Sequence, residues 1–131
     1  MKKVKVIVAR PGEDAFVMEI IPDYKHLAAL VGGHIEQTFP ISDDVAVICD
    51  ECGKLKGKLP NRLIFGTMSQ KFIDEGKNVD AFAGTIVIIG CRAEKEEYDS
   101  LTEAEIDLFM ELYEKPQFKC NWNLGGDEYA D

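Results

Sequence analysis

The chain has 131 residues, 46% of them apolar and 30% charged, which suits one globular domain and excludes global disorder. Residues 1–93 hold 12 Asp and Glu against 12 Lys and Arg, whereas residues 94–131 hold 12 against 3, so the formal net charge of −9 comes from the C-terminal third. Such a balance repels nucleic acid, attracts basic partners and disfavours direct DNA binding.

Met1-Lys2-Lys3 leads into a short apolar run, Val4 to Ala9, that is interrupted by Lys5 and is too brief for a signal-peptide core. The later run Ala81 to Gly90 falls well short of the ~20 residues that span a bilayer. A soluble cytoplasmic protein is expected, with Cys49, Cys52, Cys91 and Cys120 reduced.

In chain order, residues 3–9 place Val4, Val6 and Val8 on one face of a strand. The turn Arg10-Pro11-Gly12-Glu13-Asp14 returns the chain as a second strand, Ala15 to Ile21, making a hairpin. Asp23 is placed to N-cap a short helix whose stripe is Tyr24, Leu27, Ala28 and Val31, and Gly32-Gly33 stops it. His34 to Phe39 and Val45 to Cys49 form a second hairpin around Pro40-Ile41-Ser42-Asp43-Asp44. The chain turns again from Asp50 to Gly57, and Leu59-Pro60-Asn61-Arg62 breaks regular structure. A turn of helix is expected around Gln70 to Asp74, then a loop at Glu75 to Asn78.

Ala81 to Gly90 is rich in β-branched residues and reads as a central strand buried on both faces. Arg92 to Ser100 reads as a charged connector. Thr102 and Glu105 then match a capping box for a helix with the apolar stripe Ile106, Phe109, Met110 and Tyr113, ended by Pro116. The expectation is one α+β domain over residues 1–116, with an antiparallel or mixed sheet of about five strands covered by two helices. Residues 117–131 are expected as a tail, packed in part through Phe118 and Trp122 and fraying at Gly125-Gly126.

Three constellations carry chemistry. Cys49-Asp50-Glu51-Cys52-Gly53 resembles half a zinc knuckle, but the further candidates Cys91, Cys120 and His34 are scattered singly. A strand-ending turn with incidental cysteines is the favoured reading, and no cofactor is expected. Lys54, Lys56 and Lys58 form a basic strip with Arg62 nearby, either an ordinary solvated loop or a contact for a phosphate or an acidic partner. The spacing of Gly53 and Gly57 and the presence of Leu59 exclude a nucleotide-phosphate loop. Glu103, Asp107, Glu111 and Glu114 lie opposite the apolar stripe and, with Glu94, Glu96, Glu97 and Asp99, make an acidic ridge. That ridge fits an ordinary amphipathic helix, a docking face for a protein, or a mimic of the DNA backbone. Catalytic motifs are lacking, and His26 and His34 stand near no nucleophile elbow, so an enzyme is not expected.

The order of the segments LVGGHIE (Leu30 to Glu36), VAVICDE (Val45 to Glu51), GKLKGKLPNR (Gly53 to Arg62), AGTIVIIG (Ala83 to Gly90) and SLTEAEID (Ser100 to Asp107) is informative. Together they resemble domain-of-unknown-function family 3846 over roughly residues 1–113. The resemblance implies relatives in bacteria, phages and conjugative elements with no established activity, and an accessory role in a mobile element or its host. In that family the turn carrying Cys49 and Cys52 commonly lacks the pair, which lowers the zinc reading further.

Within LPNR, Pro60 fixes the backbone, Asn61 bonds its own turn, and Arg62 either offers its planar fork to a partner or pairs with an acidic residue to clamp the loop. The residues expected to bind a partner are therefore Lys54, Lys56, Lys58, Asn61, Arg62, Glu103, Asp107, Glu111 and Glu114.

Overall fold

In the computed structural model, residues 2–64, 74–75, 81–92 and 97–118 are described. The first hairpin pairs β1 (Val4–Ala9) with β2 (Phe16–Ile20) in unbroken antiparallel register from Val4↔Ile20 to Val8↔Phe16. Asp23 then caps α1 (Tyr24–Val31), its carboxylate accepting from the His26 N–H at 2.8 Å. Gly32 ends the helix in the left-handed conformation, φ 81°, which a side chain would strain.

The second hairpin, β3 (Ile35–Ser42) and β4 (Val45–Asp50), is longer than the sequence suggests. Its first strand continues through Pro40, and the turn shrinks to Asp43-Asp44. The register jumps between Thr38↔Val47 and Ser42↔Val45, so Phe39, Pro40 and Ile41 oppose Ala46 alone. A proline is tolerated because β3 is an edge among the described strands and the irregularity absorbs its missing donor.

The apolar run forms β5 (Ile86–Arg92), which pairs with β1 on one side and β4 on the other. Residues 81–84 are not part of that strand. They bond instead to the LPNR segment, through Asn61 N–H to Phe82 O (2.7 Å), Phe82 N–H to Arg62 O (3.1 Å) and Gly84 N–H to Leu59 O (2.8 Å). The charged connector contains a short strand that the sequence did not announce, β6 (Glu97–Asp99), paired with Gly90, Cys91 and Arg92. The six strands form one antiparallel sheet in the order β2-β1-β5-β4-β3, with β6 on β5.

The final helix, α2 (Glu103–Tyr113), opens with the expected capping box, Thr102 and Glu105 each accepting the other's backbone N–H. Arg92 holds its first turn to β5 by a two-pronged pair with Glu105, at 2.8 and 3.1 Å.

Strand alternation sends side chains to two cores. Val4, Val6, Val8, Ala46, Ile48, Val87 and Ile89 meet Leu27 and Val31 of α1 on one face. Ile7, Val45, Val47, Ile86 and Ile88 meet Ile106, Phe109 and Tyr113 of α2 on the other. The domain is α+β, one sheet with a helix on each side, and β5 is buried on both faces as its composition required. The expected turn of helix from Gln70, up to residue 73, and the tail residues Cys120, Trp122, Gly125 and Gly126 lie outside the described residues.

Candidate functional site

Asp50, the last residue of β4, is the hub of the loop that follows. Its side chain is 1% exposed. One oxygen accepts from the Cys52 N–H at 2.9 Å, and the other meets Lys56 Nζ at 2.8 Å and Lys58 Nζ at 2.7 Å. These bonds, the lysines first, hold the Asp50 carboxyl well below the usual carboxylate range against the opposing effect of burial. The two amines also reach α1: Lys58 donates to Val31 O at 2.8 Å and Lys56 to Gly32 O at 3.2 Å. Cations therefore sit on the last carbonyls of a helix with no basic residue in its own last turn. The packing is tight enough to require Gly33, where a Cβ would come within 2.6 Å of the Asp50 carboxylate and 2.7 Å of Lys56 Nζ.

Arg62 does the same for the other helix. It is fully buried, and its five N–H donors meet five acceptors. Nε donates to Tyr113 O (2.5 Å), one terminal nitrogen to Asn61 Oδ1 (2.7 Å) and Arg10 O (3.3 Å), and the other to Glu13 O (2.6 Å) and Glu114 O (2.7 Å). Tyr113 and Glu114 close α2, whose last turn likewise contains no basic residue. Asn61, also fully buried, donates to Ala9 O at 2.8 Å and Gly84 O at 2.7 Å, which ties β1 to the residues before β5. Burial pulls the Arg62 guanidinium below its ordinary value, while the Asp14 charge acts the other way.

The expected binding set thus divides. Asn61 and Arg62 face inward with their donors used within the protein, on backbone carbonyls and, for one Arg62 N–H, on Asn61 Oδ1; the Asn61 amide reaches Ala9 and Gly84 instead of the expected bond to its own turn. The clamp expected of Arg62 is present, but backbone carbonyls at a helix end replace the expected acidic side chain. Lys56 and Lys58 are held on Asp50 and α1, and Lys54 stands exposed beside them. On α2, Glu103, Asp107 and Glu111 are exposed and Glu114 is half-buried. Lys5 Nζ lies 3.4 Å from Glu103. Beside this row of acids two leucines also face water, Leu108 at 50% and Leu112 at 57% exposed. Sequence reasoning missed them because the capping box and the Ile106–Tyr113 stripe already accounted for the helix. Of the remaining ridge, Glu97 and Asp99 belong to β6, whereas Glu94 and Glu96 lie outside the described residues.

The cysteine pair does not converge on one space. Cys49 is buried and lines a hollow of about 230 Å³ with Glu36 and Phe82, whereas Cys52 lines a different one of about 440 Å³ with Tyr24, His34 and Lys56. Burial first, then the carboxylates of Glu36 and Asp50, pushes the Cys49 thiol up to about 11. No group of three or more Cys, His, Asp or Glu that could hold a metal occurs among the described residues. The histidine rings bond locally, His26 to Asp23 at 2.5 Å and His34 to the Tyr24 hydroxyl. Among the described residues no helix is long and apolar enough to cross a membrane.

The segments built into these clamps, LVGG, GKLKGK and LPNR, are among those that resemble the family. Residues 1–114 match the family described as Domain of unknown function (DUF3846). The chain belongs to that family. No curated protein and no solved structure matches it.

Two stability predictions follow from the clamps. Arg62→Ala strands buried carbonyls and should lower unfolding free energy by about 3 kcal/mol or more. Arg62→Lys, which lacks the fork, should recover only part of the loss, read from urea midpoints. The second concerns pH. Because the Asp50 carboxyl titrates lower folded than unfolded, its stabilisation is complete above the unfolded value of ~3.9 and is lost as pH falls through the folded value. Asp50→Asn should therefore be less stable than the parent at neutral pH, and the gap should narrow below about pH 4.

Proposed function

We propose that this is a non-enzymatic interaction or regulatory protein, a cytoplasmic accessory of a mobile element or its host, that binds another protein through the outer face of α2. The reading rests on one observation: Leu108 and Leu112 stand half-exposed alongside the exposed carboxylates of Glu103, Asp107 and Glu111. Covering two half-exposed leucines supplies on the order of 2 kcal/mol. The neighbouring carboxylates select a basic partner and speed its approach. The basic strip is the weaker candidate, since two of its three lysines are engaged on Asp50 and α1.

DNA mimicry remains the second reading, supported by acids that recur every fourth residue, about 6 Å along the helix axis. The exposed leucines disfavour it, because a DNA backbone offers a regular line of charge with no apolar patch.

The test is affinity capture from the native cell with the full chain, a Glu103/Asp107/Glu111→Lys variant and a Leu108/Leu112→Ser variant. A protein retained by the parent, released by salt and lost from both variants is expected. Retention that ignores both variants contradicts the proposal. Retention that duplex DNA displaces, and that ignores the leucines, favours mimicry.

A further inference from the structure

The two edges of the sheet are built differently. At one end β3 carries Pro40 and a register irregularity, both of which obstruct pairing with another strand. At the other end β2 has no such device: Phe16 to Ile20 run in unbroken register on β1, and the sequence FVMEI contains no proline. Among the described residues, β2 has no neighbour on its outer side. Val17 and Met18 are exposed there, at 43% and 37%. Met18 also borders an open, mostly apolar hollow of about 390 Å³ between β2 and α1, with Ile20, Ile21 and Leu30 and with Lys3, Glu19 and His26 at its rim.

We propose that the β2 edge is the interface of a two-fold symmetric dimer, in which β2 pairs antiparallel with β2 of a second copy about an axis at Met18.

Self-complementarity identifies the occupant. The register that uses all five residues of β2 sets Met18 against its own copy, Phe16 against Ile20 and Val17 against Glu19. Phe16, Met18 and Ile20 share the α1 face, since they stand opposite Val8, Val6 and Val4 of β1. The three β2 residues on that face of the junction are then all apolar, with an aromatic and a β-branched residue paired at each end. Arg10 already steadies the Phe16 ring, its guanidinium 5.0 Å from the ring centroid. The one charged residue, Glu19, falls opposite an apolar neighbour and not opposite itself, so no like charges meet across the axis. The hollow borders Met18 and therefore meets its symmetry mate at the axis. Since β3 is obstructed, the contact closes as a pair and does not continue into a fibre. This inference is independent of the α2 reading.

Sedimentation of the full chain across a concentration series should show a reversible dimer. Met18→Lys, at an exposed position that tolerates lysine, should shift it to monomer with unchanged circular dichroism. Register is read by oxidative crosslinking against the unsubstituted chain. Met18→Cys should give a disulfide-linked dimer, because facing residues bring Cα atoms within the ~4.4–6.8 Å a disulfide needs. Glu19→Cys should not. A parent that stays monomeric, a dimer that survives Met18→Lys, or equal crosslinking at both positions overturns the proposal.

Discussion

One loop supplies the positive charge for both ends of this fold. Neither α1, with eight residues, nor α2, with eleven, is long enough to persist alone in water, and neither carries a cation in its last turn. The segment from Gly53 to Arg62 provides what both lack: Lys56 and Lys58 for α1 on one face of the sheet, and Arg62 for α2 on the other. Each cation meets carbonyls where the helix dipole is negative, in a partly or fully dry setting, where such contacts are strongest. Asn61 binds the same loop to β1 and to the approach to β5. The helices are thus fixed to the sheet at their C-termini by a segment with little regular structure of its own.

This arrangement reverses the ordinary meaning of a basic loop. A run such as GKLKGK followed by an arginine invites a reading as a landing site for phosphate. Here Lys56, Lys58 and Arg62 are engaged within the fold, by the carboxylate at the end of β4 and by two helix termini. Among the described residues, the acids and leucines of α2 and the unpaired outer edge of β2 face outward. At its N-terminal end α2 is held by Arg92 through Glu105, so both ends are anchored and the outer face is presented on a rigid element.

Much of the fold was legible because it rests on local rules. The alternation of Val4, Val6 and Val8, the Asp23 cap, the Gly32 stop and the Thr102–Glu105 box each signal one element from a few neighbouring residues. The double burial of β5 was legible from its β-branched composition. What escaped was set by tertiary partners. Pro40 looked like a turn residue because nothing local says that β3 is an edge, and β6 was hidden because its three residues depend on pairing with β5. The residue types of the site were visible, but the direction of their side chains was not. One signal could have revealed the hub: Asp50 directly follows five apolar residues, and such a buried carboxylate demands cations, which Lys56 and Lys58 supply six and eight positions later.

The most direct test of the two-ended clamp is amide hydrogen exchange read residue by residue. In a Lys56→Met/Lys58→Met variant, the account predicts faster exchange at Gly32 and Gly33, which donate to Ala28 at the end of α1, with little change in α2. In Arg62→Lys the loss should move to Glu114, which donates to Met110, and to Ala15, which donates to Glu114, with α1 protected as before. Unchanged protection at these four amides in both variants would contradict the claim that this loop secures the two helices.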